Sequence, residues 1–136
     1  MREIKFRAWD KIDEKLWNVI SIDFIKGEVT LLNEYTKESY IREIDEVELM
    51  QYTGLKDKNG KEIYEGDIIK YNFKSLIEKE GINRDRIAPV YWQEFRGCWA
   101  VKESKYCNND LFTYIQNGNV VEVIGNIYEN SELLEV

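Results

Sequence analysis

The stretch GLKDKNGKEIYEGDII, Gly54 to Ile69, decides the fold, because what it specifies is backbone geometry. Asn59-Gly60 separates a short polar arm from an apolar one. Asn-Gly is the strongest short-range hairpin signal, since both residues tolerate the positive φ of a tight turn. A second glycine break follows at Gly66, and Asp67 then leads into the run Ile68-Ile69-Lys70-Tyr71. A Gly-Asp step ahead of β-branched residues is a common start for a strand of a small barrel. The centre of the chain therefore reads as hairpin, break and strand.

Towards the N-terminus the pattern keeps a period of two. Ile4, Phe6 and Ala8 alternate with Lys5, Arg7 and Trp9, as in a half-buried strand. The polar run Asp10 to Lys15 turns the chain into Leu16 to Ile20, and Ile20, Ile22 and Phe24 are expected to share a face. Lys26-Gly27 makes a tight turn into Val29 to Leu32, so residues 1–32 read as an antiparallel meander. Asn33 to Ser39 reads as a loop, Tyr40 to Arg42 as a short strand, and Val47 and Leu49 as part of a strand running towards Gly54. A boundary near Thr53-Gly54 divides an N-terminal β lobe, 1–53, from a second lobe, 54–136.

Beyond the Asp67 to Phe73 strand, Ser75-Leu76-Ile77-Glu78 has the spacing of a capping box, and Gly81 closes the short helix it predicts. This segment reads as an excursion reaching Ala88. Val90 to Trp92 and Trp99 to Val101 flank Arg96-Gly97, a second hairpin. The last strand is expected over Val120 to Tyr128, with Val121, Val123 and Ile127 on one face. Gly125 within it marks a bulge or a close backbone approach. Asn130 to Leu134 offers a capped final turn. The class is mainly β, with one or two short helices.

Composition agrees. The 136 residues suit one ordinary domain or two small lobes. Four Trp and nine Tyr in a chain that is 43% apolar favour a packed β protein over a disordered one. Net charge is −7, and the segment from Tyr106 to Val136 has acids but no base, which disfavours a phosphate backbone as partner. The opening MREIKFRAWD is charged and strand-like, unlike a signal peptide. The expectation is a cytoplasmic protein whose Cys98 and Cys107 are reduced.

Three separated motifs carry a resemblance. REIKFRAWD (Arg2 to Asp10), ELMQYTGLKDKNGKEIYEGDII (Glu48 to Ile69) and EVIGNIYEN (Glu122 to Asn130) together resemble the YopX family of small phage and prophage proteins, over nearly the whole chain. The resemblance implies an intracellular, phage-derived, mostly β protein. Its meander is expected to pack with a C-terminal SH3-like small β-barrel. It brings no catalytic residue with it. One departure is that Ser131 stands where the family pattern suggests proline.

The chain has no histidine, so Ser-His-Asp and Cys-His nucleophile systems and His-ligated metals are excluded. Two cysteines are too few for a structural zinc site, and no G-x-x-x-x-G-K-[ST] loop occurs. Asp57, Glu62, Glu65 and Asp67 cluster around the first hairpin. They suit a divalent-metal nuclease on one reading; on the plainer one Asp57 caps a turn and Asp67 accepts from backbone amides at a strand entrance.

The aromatic hairpin Tyr91, Trp92, Phe95 and Trp99 is the best binding candidate, with Arg96 beside it. Alternation assigns Trp92 and Trp99 to the core with Val90 and Val101, leaving Tyr91 and Phe95 on the opposite face. Lys70, Lys74, Lys79, Arg84 and Arg86 make the excursion the least acidic region, although Glu78, Glu80 and Asp85 interrupt it. The candidate surface is Tyr91, Phe95, Arg96, Lys70 and Lys74, and no cofactor is expected. The leading reading is a non-enzymatic accessory protein acting through a protein partner or as a homo-oligomer. The alternative is a nucleic-acid-binding barrel, and a carboxylate–metal enzyme comes third.

Overall fold

Strands make up nearly all the regular structure of the computed structural model, which describes residues 3–72, 85–102, 108–111 and 121–134. They are β1 (Phe6–Asp10), β2 (Lys15–Asp23), β3 (Glu28–Leu32), β4 (Ser39–Glu43), β5 (Val47–Lys56), β6 (Glu62–Tyr64), β7 (Asp67–Asn72), β8 (Asp85–Gln93), β9 (Cys98–Lys102), β10 (Asn108–Asp110) and β11 (Val121–Asn126). Two 3-10 turns, Ile44–Glu46 and Ser131–Leu134, accompany them. The strands form two antiparallel sheets, in the orders β4-β3-β2-β1-β5-β6 and β10-β9-β8-β7-β11. The fold is mainly β, as the alternation predicts. The chain divides into two compact units, Met1–Tyr52 and Thr53–Val136.

In the first unit short Asx turns close the meander. Asp23 Oδ1 accepts from the amides of Ile25 and Lys26 at 3.0 Å each, and Gly27 takes the positive φ of 68° that ends the turn. Asn33 Oδ1 accepts from Tyr35 and Thr36 in the same way, so the polar run 33–38 is the tip of the β3–β4 hairpin. Ala8, Trp17, Val29, Leu31 and Val47 form the core.

The sheet curls strongly. Trp17 on β2 meets Tyr40 on β4 edge-on at 5.4 Å, although β3 lies between them in sheet order. Arg42 Nε on β4 reaches Asp10 Oδ2 on β1 at 3.0 Å. Asp10 is fully buried, and its other oxygen accepts from the Ile12 amide at 2.9 Å. A buried carboxylate without a partner is strongly destabilising, so this ion pair fixes how the curl closes.

The expected common face of Ile20, Ile22 and Phe24 does not form. The β2–β3 register shifts between Val19 and Ser21, which leaves Ile20 at the bulge and exposed. Phe24 has already left the strand for the turn.

In the second unit Ile63, Ile69, Tyr71, Ala88, Val90, Val101, Leu111 and Val121 are buried together, with Leu55, Trp99 and Val123 packed against them. The Asn59-Gly60 turn forms as read, with Gly60 at φ 80° and its amide on the Asp57 carbonyl at 3.0 Å. Gly66, at φ 85°, is a junction: its N–H donates to the Val90 carbonyl and its carbonyl accepts from Ile127 N, each at 2.9 Å.

Gly125 sits at a register shift on β11, and a Cβ placed there would stand 2.5 Å from Asn130 Oδ1. The anticipated bulge therefore forms, while the close approach is made by the Asn130 side chain and not by backbone. That Asn130 oxygen accepts from the Asn126 amide at 3.2 Å instead of capping the final turn. Asn126 Oδ1 takes the amides of Tyr128 and Glu129, so β11 ends at Asn126 and Ile127 lies in a turn, not on the strand face with Val121 and Val123.

Among the described residues no ladder joins β10 to β11, so the second sheet stands open and not as a closed barrel. The Ser75 to Gly81 helix expectation lies outside the described residues, as do Lys74, Lys79, Arg84 and Cys107. No helix among the described residues is long and apolar enough to cross a membrane.

Candidate functional site

The β8–β9 hairpin gathers most of the candidate side chains. Tyr91 pairs with Ala100, Trp92 with Trp99 and Gln93 with Cys98. The Gly97 amide then closes the turn on the Gln93 carbonyl at 2.8 Å, with Gly97 at φ 62°. Arg96 stands exposed in that turn, and Phe95 is 98% exposed. An unsupported phenyl ring in water is the kind of apolar anchor that interfaces bury.

Alternation places Trp92 on the face of Val90, yet the two differ. Val90 is 1% exposed and Trp92 is 41% exposed. Two residues further along β8 the strand pair has outrun the core, and Trp92 is covered mainly by Trp99, edge-on at 5.0 Å. The expectation of a core Trp92 is therefore corrected, while Trp99 packs against the core as expected. The surface at this end is broader than the sequence suggested, with Trp92, Phe95 and Arg96 all available to solvent.

Tyr91 is half-buried on the opposite face. Burial, followed by the charge of Cys98, pushes its hydroxyl above the ordinary tyrosine range, and Arg96 offsets part of this. Lys70 is exposed on the same face of the sheet, opposite Ile87 on β8 and Glu122 on β11. Ile87 and Tyr91 are four residues apart on one strand, about 13 Å, so Lys70 does not join the hairpin tip. Arg86, half-buried opposite Tyr71, is no part of the tip either.

The carboxylates of the Asn-Gly hairpin turn inward to the backbone. Asp57 is buried; its Oδ1 accepts from the amides of Asn59 and Lys61 at 2.9 Å each, and its Oδ2 from Val123 N on β11 at 3.0 Å. Burial pushes its pKa up, but the amides of Val123, Lys61 and Asn59, with the Lys61 charge, outweigh that and hold it below the ordinary aspartate value. Asp67, also buried, accepts from the Tyr64 amide at 2.8 Å. Among the described residues no three acidic or cysteine side chains converge as metal ligands would.

Sequence reasoning anticipated the local half of the Asp57 arrangement. It missed the bond to Val123, which lies 66 residues away, and the Asp10–Arg42 pair. No residue pattern near either partner signals them.

Among solved structures the chain is similar to the crystal structure of protein EF1440 from Enterococcus faecalis. The two are 28% identical, the match covers 99% of this chain and 100% of that one, and the TM-score is 0.60. None of the curated proteins matches it. The family model described as YopX protein matches residues 5–135, which includes most of the first motif and all of the other two. The chain belongs to the YopX family.

Proposed function

We propose that this protein is a non-enzymatic accessory module of a phage or prophage, acting in the host cytoplasm by binding another protein through the β8–β9 hairpin tip. One observation carries the reading: Phe95 is 98% exposed at the turn, beside exposed Arg96 and a Trp92 that the core leaves 41% exposed. Aromatic and arginine side chains are the residues most often responsible for interface energy. The inward use of Asp57 supports the non-enzymatic part, because a buried carboxylate with both oxygens taken by backbone amides has little capacity left for a metal.

The test is affinity capture from a phage-bearing bacterial host with wild type and Phe95→Ser, identifying bound proteins by mass spectrometry. A protein retained by wild type and lost with Phe95→Ser, at unchanged melting temperature, is the expected result. Capture indifferent to Phe95, or retention on DNA or RNA that weakens steeply with salt, overturns the reading.

A further inference from the structure

We infer that β4 is a self-pairing edge, through which two copies of this chain join their first sheets antiparallel about a two-fold axis at Ile41. The inference concerns a different surface from the hairpin tip and does not depend on it.

Strand β4 is an end strand, with β3 its one neighbour among the described strands. The phase of its hydrogen bonding is fixed at both ends of the ladder. Asn33 N donates to the Glu38 carbonyl at 2.9 Å and Ile44 N to the Gly27 carbonyl at 2.8 Å. Both bonds fit the register in which Leu31 faces Tyr40 and Val29 faces Arg42. Hydrogen-bonded and non-bonded pairs alternate along an antiparallel ladder. Tyr40 and Arg42 therefore spend their main-chain groups on β3, and Ser39, Ile41 and Glu43 turn theirs outward. Of these, the Glu43 N–H is taken by Glu46 Oε1 at 2.8 Å. That leaves the Ser39 and Ile41 N–H groups and three carbonyls along the edge.

The devices by which proteins usually blunt such an edge are proline, charged side chains with lysine foremost, a bulge, an inward-pointing charge or a covering segment. Of these β4 has the exposed Glu43 and the inward Arg42, whose charge is neutralised on Asp10. β4 contains no Pro or Lys, and its register with β3 runs unbroken. Ser39, Tyr40, Ile41 and Glu43 are exposed, Ile41 by 61%. The other unit handles the same problem differently. The outer side of β11 is met by the hairpin tip, with Lys58 N on the Val121 carbonyl at 2.9 Å and Asp57 on the Val123 amide.

The sequence of β4 indicates that the occupant is a second copy. With Ile41 opposite its own equivalent, the outward main-chain groups fall in phase and form four hydrogen bonds: Ile41 to Ile41 in both directions, and Ser39 N–H to the Glu43 carbonyl twice. The side chains then match as well. Ile41 meets Ile41 on the outer face, Ser39 lies opposite Glu43, and Tyr40 lies opposite Arg42, whose guanidinium stays on Asp10 and Asp13 of its own copy. No like charges oppose one another at any of the five positions, which is the condition for a stable cross-strand pairing. An isologous contact of this kind closes as a dimer and does not propagate.

The test is sedimentation velocity of the full chain across a concentration series up to the high micromolar range. Wild type is expected to show a monomer–dimer equilibrium. Ile41→Lys places two ammonium groups on the axis and should weaken the dimer about tenfold, with the melting temperature of the monomer unchanged because Ile41 is exposed. Register is tested by charge: Ser39→Lys, facing Glu43, should tighten the dimer about fivefold, and Ser39→Glu should loosen it by a similar factor. Phe95→Ser should leave it unaltered. A wild type that stays monomeric throughout the series overturns the inference. So does a dimer indifferent to Ile41→Lys, one that responds equally to both Ser39 variants, or one that Phe95→Ser abolishes.

Discussion

The outer edges of β11 and β4 show two answers to the same problem. Each is the last strand of its sheet order, and each turns alternate main-chain groups away from its one neighbouring strand. At β11 the chain supplies its own cover: the Asn-Gly turn folds back so that Asp57 and Lys58 take up an amide and a carbonyl of that strand. At β4 nothing among the described residues does the same for Ser39 and Ile41. Whether a sheet edge is closed thus depends here less on the strand than on what the nearest hairpin carries at its tip. A carboxylate beside Asn-Gly completes both a turn and an edge, whereas the Asn33 turn completes only itself.

Removing the cover should have the largest effect. Asp57→Ala deprives three amides of their acceptor inside a buried setting. It is expected to lower the stability of the second unit by about 3 kcal/mol, measured by urea unfolding followed by tryptophan fluorescence. The bared β11 edge should also make the variant associate with concentration in a way that Ile41→Lys does not suppress. A loss below about 0.5 kcal/mol would show that the carboxylate is not what closes the edge.

Next is Gly125→Ala. The new Cβ would meet Asn130 Oδ1 at 2.5 Å, and that oxygen is held by the Asn126 amide, so a cost of about 2 kcal/mol is expected. Because the three nearest atoms all belong to the Asn130 side chain, adding Asn130→Gly should return part of the loss in a double-mutant cycle.

Acid gives a smaller, directional test. The Asp57 pKa is depressed in the folded state, so its contribution is fully present above the unfolded aspartate value near pH 4 and fades as pH falls through the lower folded value. Asp57→Asn should lack that portion of the acid sensitivity, and identical acid unfolding of the two proteins would contradict the assignment. Smallest of all is Lys58→Ala. Its ion pair with Glu122, 3.3 Å long between half-exposed partners, should contribute no more than about 0.5 kcal/mol, because the edge is held by the Lys58 main chain.

Much of the fold was legible because it is local. Asn59-Gly60, Gly66-Asp67 and the alternation about Val90 and Val101 each state a turn or a face within a few residues. Even Gly125 announced its bulge. What could not be read depends on partners distant in sequence. Nothing near Ile20 indicates that β2 must slip against β3, because the slip belongs to the pair. Trp92 has the alternation of a core residue, but where the core stops is decided by Leu111, Val121 and their neighbours arriving from elsewhere. The candidate site followed the same rule: Phe95 and Arg96 could be placed at a tip, while the opening of Trp92 and the distance of Lys70 from that tip could not.

The bond from Asp57 to Val123 also orders events in time. The Asn-Gly turn forms from neighbours and can nucleate early, as local contacts do, yet its carboxylate gains its third amide only when a strand 66 residues downstream docks. During synthesis this hairpin keeps its acid in water, with two of its three amides in reach, until the polypeptide carrying Val123 has left the ribosome. The β11 edge is therefore among the last features of the second unit to close.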